Sequence, residues 1–190
     1  DLKLKYSNNK KVIVYNKDIL KFDFEKKLKK NSIIFGNLPY NIASQILVNI
    51  IRFKNWPPKY TCLIFMFQKE VADRIIANCD TPNYGRLSVI TGYKLKITNS
   101  FEVSKNCFYP IPKVESKVLI FEPIINTKHK IADINNLEKV TQMFFSNKRK
   151  MINKSIKKIL SKSEIKQIVG LNITSRPAEI KPEIYYKIAE

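Results

Sequence analysis

The sequence predicts an α/β chain, a doubly wound domain over residues 1–125 followed by a small all-α domain over 126–190. Three observations predict it. Short apolar runs alternate with amphipathic helical stretches in the first half. Two extended runs then follow one another around a Pro-containing loop. Beyond residue 135 only helix-period patterns occur.

Residues 11–15, KVIVY, form a β-branched run predicted as the first strand. Residues 32–35, SIIF, are the second, and 61–67, TCLIFMF, the third. Their near-continuous apolarity suits strands covered on both faces of a parallel sheet. Between them, NIASQILVNIIRF places Ile42, Ile46, Ile50 and Phe53 on one helix face, and KEVADRIIAN does the same with Val71, Ile75 and Ile76. GRLSVITGY is helical in pattern, KLKITNSFEV extended, and KVESKVLIFEP alternating. The last two, joined through NCFYPIP, predict an antiparallel pair at the end of the sheet. Residues 123–135 lack periodicity and are predicted as a linker. After them Leu137, Val140 and Phe144 make one helix face, and Ile152, Ile156 and Ile159 another. Ser161 and Glu164 have capping-box spacing, and Gly170 closes that short helix. Pro182 opens a last helix carrying Ile184, Tyr185 and Ile188.

Charge is the strongest bulk signal: 35 Lys and Arg against 16 acids give +19. Such a field favours a polyanion, with nucleic acid ahead of an anionic membrane surface. A Lys-rich composition bias, with Asn and Ile also abundant, is the alternative source. No apolar run is long enough to span a bilayer, so no membrane partner is expected. Cys62, Cys79 and Cys107 stand far apart with a single His129; zinc spacing is absent, and neither a metal nor a disulfide framework is expected. A reduced, cytoplasmic, monomeric chain is the expectation. The first residue is Asp rather than Met, which predicts a processed chain or a fragment.

The stretch GNLPY, residues 36–40, follows SIIF directly. In an open parallel sheet, ligands bind outside the carboxyl ends of the strands. Gly36 allows a close approach that a Cβ would block. Pro39 stiffens the turn and forces Leu38 into an extended conformation, leaving the Leu38 carbonyl as an outward acceptor. Asn37 offers a second acceptor and Tyr40 a flat face. Two acceptors and a stacking surface suit a planar ring with an exocyclic amine, such as adenine at N6. Taken alone, the same four letters also describe an ordinary β-to-α turn.

FGNLPYNIASQIL, FMFQKEVADRI, YGRLSV, CFYPIPKVESKV, FFSNKRKMINKSI and RPAEI resemble, in order and spacing, the KsgA family. These are the S-adenosylmethionine-dependent dimethyltransferases acting on adenine N6 of small-subunit rRNA. The resemblance spans nearly the whole chain. It implies a Rossmann-like methyltransferase domain followed by a helical rRNA-binding domain, with S-adenosyl-L-methionine as methyl donor and the small ribosomal subunit as partner. By resemblance, Asn37 and the Leu38 carbonyl hold the target N6, with Asn37 also bordering the donor, and Pro39 and Tyr40 complete the motif, Tyr40 stacking on the base. Phe108 is implied as the other aromatic wall, against the alternative of a core aromatic at a strand junction. Asp18 would accept the donor's adenine amine, against the alternative of a capping Asp, and Ile19 would flank that ring. Gln68, Lys69 and Glu70 read as framework, and Glu115 as a structural contact.

A donor site of this class also needs a glycine-rich turn and an acid that holds the ribose. The four glycines, Gly36, Gly85, Gly92 and Gly170, form no such turn. Matched to the family, Asp1 falls just past the ribose-binding acid, so the first two strands and their helix are expected to lie outside these residues.

Residues 146–166 hold eight Lys or Arg and one acid. Written as a helix, they turn Ile152, Ile156 and Ile159 inward. Lys150, Lys154, Lys157 and Lys158 turn outward and, with Lys148 and Arg149, are candidates for rRNA phosphate contacts; a solvated helix surface is the alternative. Three other functions remain in view. They are an Erm-type large-subunit rRNA adenine methyltransferase, a non-catalytic ribosome-assembly factor, and, less fitting, a DNA adenine methylase. Bacterial cytoplasm is the expected compartment, with an organelle as the alternative.

Overall fold

The structure is a computed structural model describing residues 1–190. Its strands are β1 (Ser32–Asn37), β2 (Tyr60–Gln68), β3 (Leu95–Val103) and β4 (Ser116–Pro123). They form one sheet in the order β1-β2-β4-β3. β1 and β2 are parallel, whereas β4 lies antiparallel to both β2 and β3. The antiparallel pair therefore stands where the sequence places it.

The helices are α1 (Leu2–Lys5), α2 (Phe24–Lys27), α3 (Ala43–Ile51), α4 (Lys69–Ile76), α5 (Arg86–Lys94), α6 (Ile134–Phe145), α7 (Asn153–Ile156), α8 (Lys162–Gln167) and α9 (Pro182–Ala189). Ile46, Leu47, Ile50 and Ile51 of α3, Ala72 and Ile75 of α4, and Val89 and Ile90 of α5 bury against Leu63, Phe65, Phe67, Leu119 and Phe121 of the sheet. The same apolar cluster continues into Leu137, Val140 and Phe144 of α6 and Tyr185 and Ile188 of α9. Arg52, which follows α3, pairs with Glu138 of α6 at 2.7 Å. No helix is long and apolar enough to cross a membrane.

Three expectations are corrected. Residues 11–15 are not a strand, because no ladder joins them to another segment, and Ile13 and Tyr15 are exposed. The sheet is covered on one face only. Its registers align Ile33 with Cys62, Phe35 with Ile64 and Phe101 with Val118 on the other face, where Ile33 is 54%, Phe35 72% and Phe101 52% exposed. The basic run 146–166 is not one helix. α6 ends at Phe145, α7 is a single turn, and the Ser161–Glu164 capping box starts α8 afresh. Ile152 and Ile156 are buried as expected, but the break after α7 leaves Ile159 37% exposed.

Candidate active site

The topology gathers one end of the sheet. β1 and β2 finish at Asn37 and Gln68, and antiparallel β4 begins there, since Gln68 pairs with Ser116. Ser116 also pairs with Val103, the last residue of β3. The β1–α3 loop and the β3–β4 connection thus emerge side by side. The first carries Asn37 to Tyr40 and the second carries Phe108.

Asn37 is the last ladder residue of β1, and its side chain is exposed. The chain leaves the sheet at Leu38, whose carbonyl receives no backbone donor from the protein. The Pro39 carbonyl instead accepts the Ile42 amide at 3.1 Å, a turn that feeds directly into α3. Neither Asn37 Oδ1 nor the Leu38 carbonyl has a donor from the protein, so both keep their hydrogen-bonding capacity unspent. Gly36 behaves as its position suggests. A Cβ there would stand 2.7 Å from Phe65 Cδ1 and 2.8 Å from Leu38 Cδ2. The missing side chain lets Leu38 fold back over Phe65 and fixes where the loop departs.

Tyr40 is half-buried, and its hydroxyl lies 2.7 Å from Ser116 Oγ. Ser116 lies within the CFYPIPKVESKV block, but the sequence assigned it no role; it is fully buried at the first position of β4. Phe108, also half-buried, follows a 3-10 turn (Lys105–Cys107) in extended conformation. Glu115 carries the structural contacts expected of it: its carboxylate accepts the Lys105 amide at 2.7 Å, and its carbonyl accepts the Lys69 amide at 2.9 Å. Beside them Lys69 pairs with Glu102, and Lys117 with Asp73 at 2.5 Å. Direct hydrogen bonding to Lys69 holds the Glu102 carboxyl below its usual range, and the same bond raises Lys69. This ionic cluster braces the strand ends under the loops.

Asp18 is exposed and lies in an irregular segment, its Oδ1 accepting the Leu20 amide at 2.9 Å. One carboxylate oxygen is thus used locally in a turn and the other stays open. Ile19 packs partly against the core, and Leu20 shares a groove with Ser44 and Gln45 of α3. Lys148, Arg149, Lys150, Lys154, Lys157 and Lys158 are all exposed. Lys148 Nζ donates to the Pro82 carbonyl at 2.5 Å. A separate cavity of about 1070 Å³, lined by Trp56, Lys94 and His129, opens at the opposite end of the sheet.

The family model for ribosomal RNA adenine dimethylase matches residues 1–190, the whole chain. The chain belongs to that family. Its relatives include ribosomal RNA small subunit methyltransferase A of Pelagibacter ubique, 37% identical over 190 residues, covering 100% of this chain and 71% of that protein. The protein of the same name from Blochmanniella pennsylvanica is 36% identical over 95% of this chain and 67% of its own length. That of Rhizobium johnstonii is 45% identical over 74% of this chain and 50% of its own. Two solved structures share the dimethylase fold. A dimethyladenosine transferase from Plasmodium falciparum superposes with a TM-score of 0.76 at 22% identity, covering 98% of this chain and 74% of that one. The 23S rRNA methyltransferase ErmE gives 0.64 at 20% identity with the same coverage. The Rossmann-like sheet with a helical C-terminal part, expected from the resemblance, is the fold of this chain.

Proposed function

We propose that the chain transfers methyl groups from S-adenosylmethionine to N6 of adjacent adenosines in small-subunit rRNA, giving N6,N6-dimethyladenosine during ribosome maturation. The observation that carries the reading is the pair of unspent acceptors, Asn37 and the Leu38 carbonyl, beside the Tyr40 ring at the end of β1. The relatives' names support the small subunit as substrate.

Adenine N6 is a poor nucleophile because its lone pair is delocalised into the ring. Asn37 Oδ1 and the Leu38 carbonyl accept its two hydrogens, which favours a pyramidal nitrogen and returns the lone pair to it. Tyr40 and Phe108 sandwich the extruded base, offsetting part of the few kcal/mol that unstacking costs. S-adenosylmethionine supplies an electrophilic methyl group on a sulfonium. As the N–C bond formed, the S–CH3 bond of the donor would break and S-adenosylhomocysteine would leave as a neutral thioether; the methylated amine, then cationic, would give its proton to water, so no strong base is required. Positioning supplies most of the acceleration. Asp18 and Ile19 fit the adenine end of the donor, Asp18 through its open carboxylate oxygen. Residues 1–125 form the catalytic part, and residues 126–190 present the basic surface that sets register on the rRNA.

Labelled-methyl transfer to unmethylated small subunits, with large subunits as the control, tests this reading. Label in small-subunit adenines that disappears in Asn37→Ala is expected. Label confined to large subunits, or undiminished in Asn37→Ala, overturns it.

A further inference from the structure

The two aromatic walls come from loops far apart in sequence, and nothing in either loop fixes their separation. Both are fastened to one dipeptide at the start of β4. Ser116 Oγ meets the Tyr40 hydroxyl at 2.7 Å, and the Glu115 carboxylate accepts the Lys105 amide at 2.7 Å. The Lys105 carbonyl in turn accepts the Phe108 amide at 3.2 Å, so Glu115 holds the turn that delivers Phe108. The dipeptide itself cannot drift. Ser116 lies in two ladders, paired with Gln68 and with Val103, and it is 0% exposed. The Glu115 carbonyl takes the Lys69 amide where α4 begins. Ser116 is fully buried, so removing the Tyr40 hydroxyl leaves its Oγ without a partner.

We propose that Glu115 and Ser116 are positioning residues that set the gap between Tyr40 and Phe108, and through it the stacking of the target adenine. The proposal deepens the adenine-N6 reading and rests on it. Substrate affinity comes mainly from phosphate contacts elsewhere, so the gap acts on the reacting geometry and not on docking.

Steady-state transfer to unmethylated small subunits separates the two effects. Ser116→Ala and Tyr40→Phe, each of which removes one half of the hydroxyl pair and keeps the Tyr40 ring, should each lower kcat about tenfold with KM for the subunit unchanged. The double variant should fall no further than either single one, since both cut the same bond. Glu115→Ala should lose kcat in the same manner, and Glu115→Gln, which keeps an acceptor oxygen, should regain most of that loss. Multiplicative losses in the double variant, an unaltered kcat in Ser116→Ala or Tyr40→Phe, or a loss appearing only in KM overturns the proposal. Transfer by the parent chain that persists in Asn37→Ala instead overturns the N6 reading itself.

Discussion

Arg52 Nε and Nη2 meet Glu138 Oε1 and Oε2 at 2.7 Å each, a two-pronged pair that ties the end of α3 to α6. The hydrogen bond to Glu138 raises the Arg52 guanidinium further above its already high value. The arginine side chain is 45% exposed, so solvent screens much of this. A double-mutant cycle of Arg52→Ala and Glu138→Ala should return a coupling of about 0.5–1 kcal/mol by denaturant unfolding. A coupling near zero would show that this ion pair adds nothing to the joint between α3 and α6.

Gly36→Ala should cost about 1–3 kcal/mol, since the new methyl group would clash with Phe65 and Leu38 unless one of them shifts, and the core resists overpacking. Phe65 cannot yield easily, being buried with its ring edge against Phe67. The movable neighbour is Leu38, so methyl transfer should fall more than stability does. A stable variant with full activity would mean the loop absorbs the methyl elsewhere.

Tyr60→Phe should leave the protein as stable or raise stability by about 1 kcal/mol. The Tyr60 hydroxyl is buried with no hydrogen-bond partner, while its ring packs edge-on to Phe53 and Trp56. Phe keeps the packing and removes the stranded group. A clear drop in Tm would reveal a partner for that hydroxyl.

Burial raises the phenols of Tyr60, Tyr84, Tyr185 and Tyr186 above the ordinary 10.0. Unfolded, each ionises near that value; folded, each stays protonated well beyond it. Their contribution to stability is complete below pH 10 and is lost as pH rises through the folded values, because the unfolded chain then binds fewer protons. Phenolate absorbance from these four should appear together with loss of helical circular dichroism. Full titration of all nine tyrosines with the fold intact would contradict it.

Reversing Lys148, Arg149 and Lys150 to Glu should weaken binding to small subunits and flatten its salt dependence. The log–log slope should fall by about 0.7–0.9 for each phosphate the protein no longer neutralises. An unchanged slope would remove this surface from the rRNA interface.

Legibility in the sequence followed how local each cause was. Gly36, Asn37 and Pro39 act within a few residues, and their turn at the end of β1 could be read directly. KVIVY has the same letters as a true strand, but a strand is a relation between two segments, and residues 11–15 have no partner. Ser116 escaped notice because its meaning lies 76 residues away at Tyr40. Its one signal was its place in the CFYPIPKVESKV block, where it opens β4. The basic run misled for another reason: lysines impose no period, so nothing in 146–166 marked the breaks between α6, α7 and α8 except the capping box itself.

The uncovered side of the sheet has a colloidal consequence. Copies carrying +19 each approach as like-charged particles, and their repulsion keeps Ile33, Phe35 and Phe101 of one from reaching those of another. That protection reaches only about 10 Å in 0.1 M salt and about 3 Å in 1 M. For a chain of residues 1–190, the concentrated salt used to strip a basic protein from RNA would therefore also be the condition in which copies begin to adhere to one another.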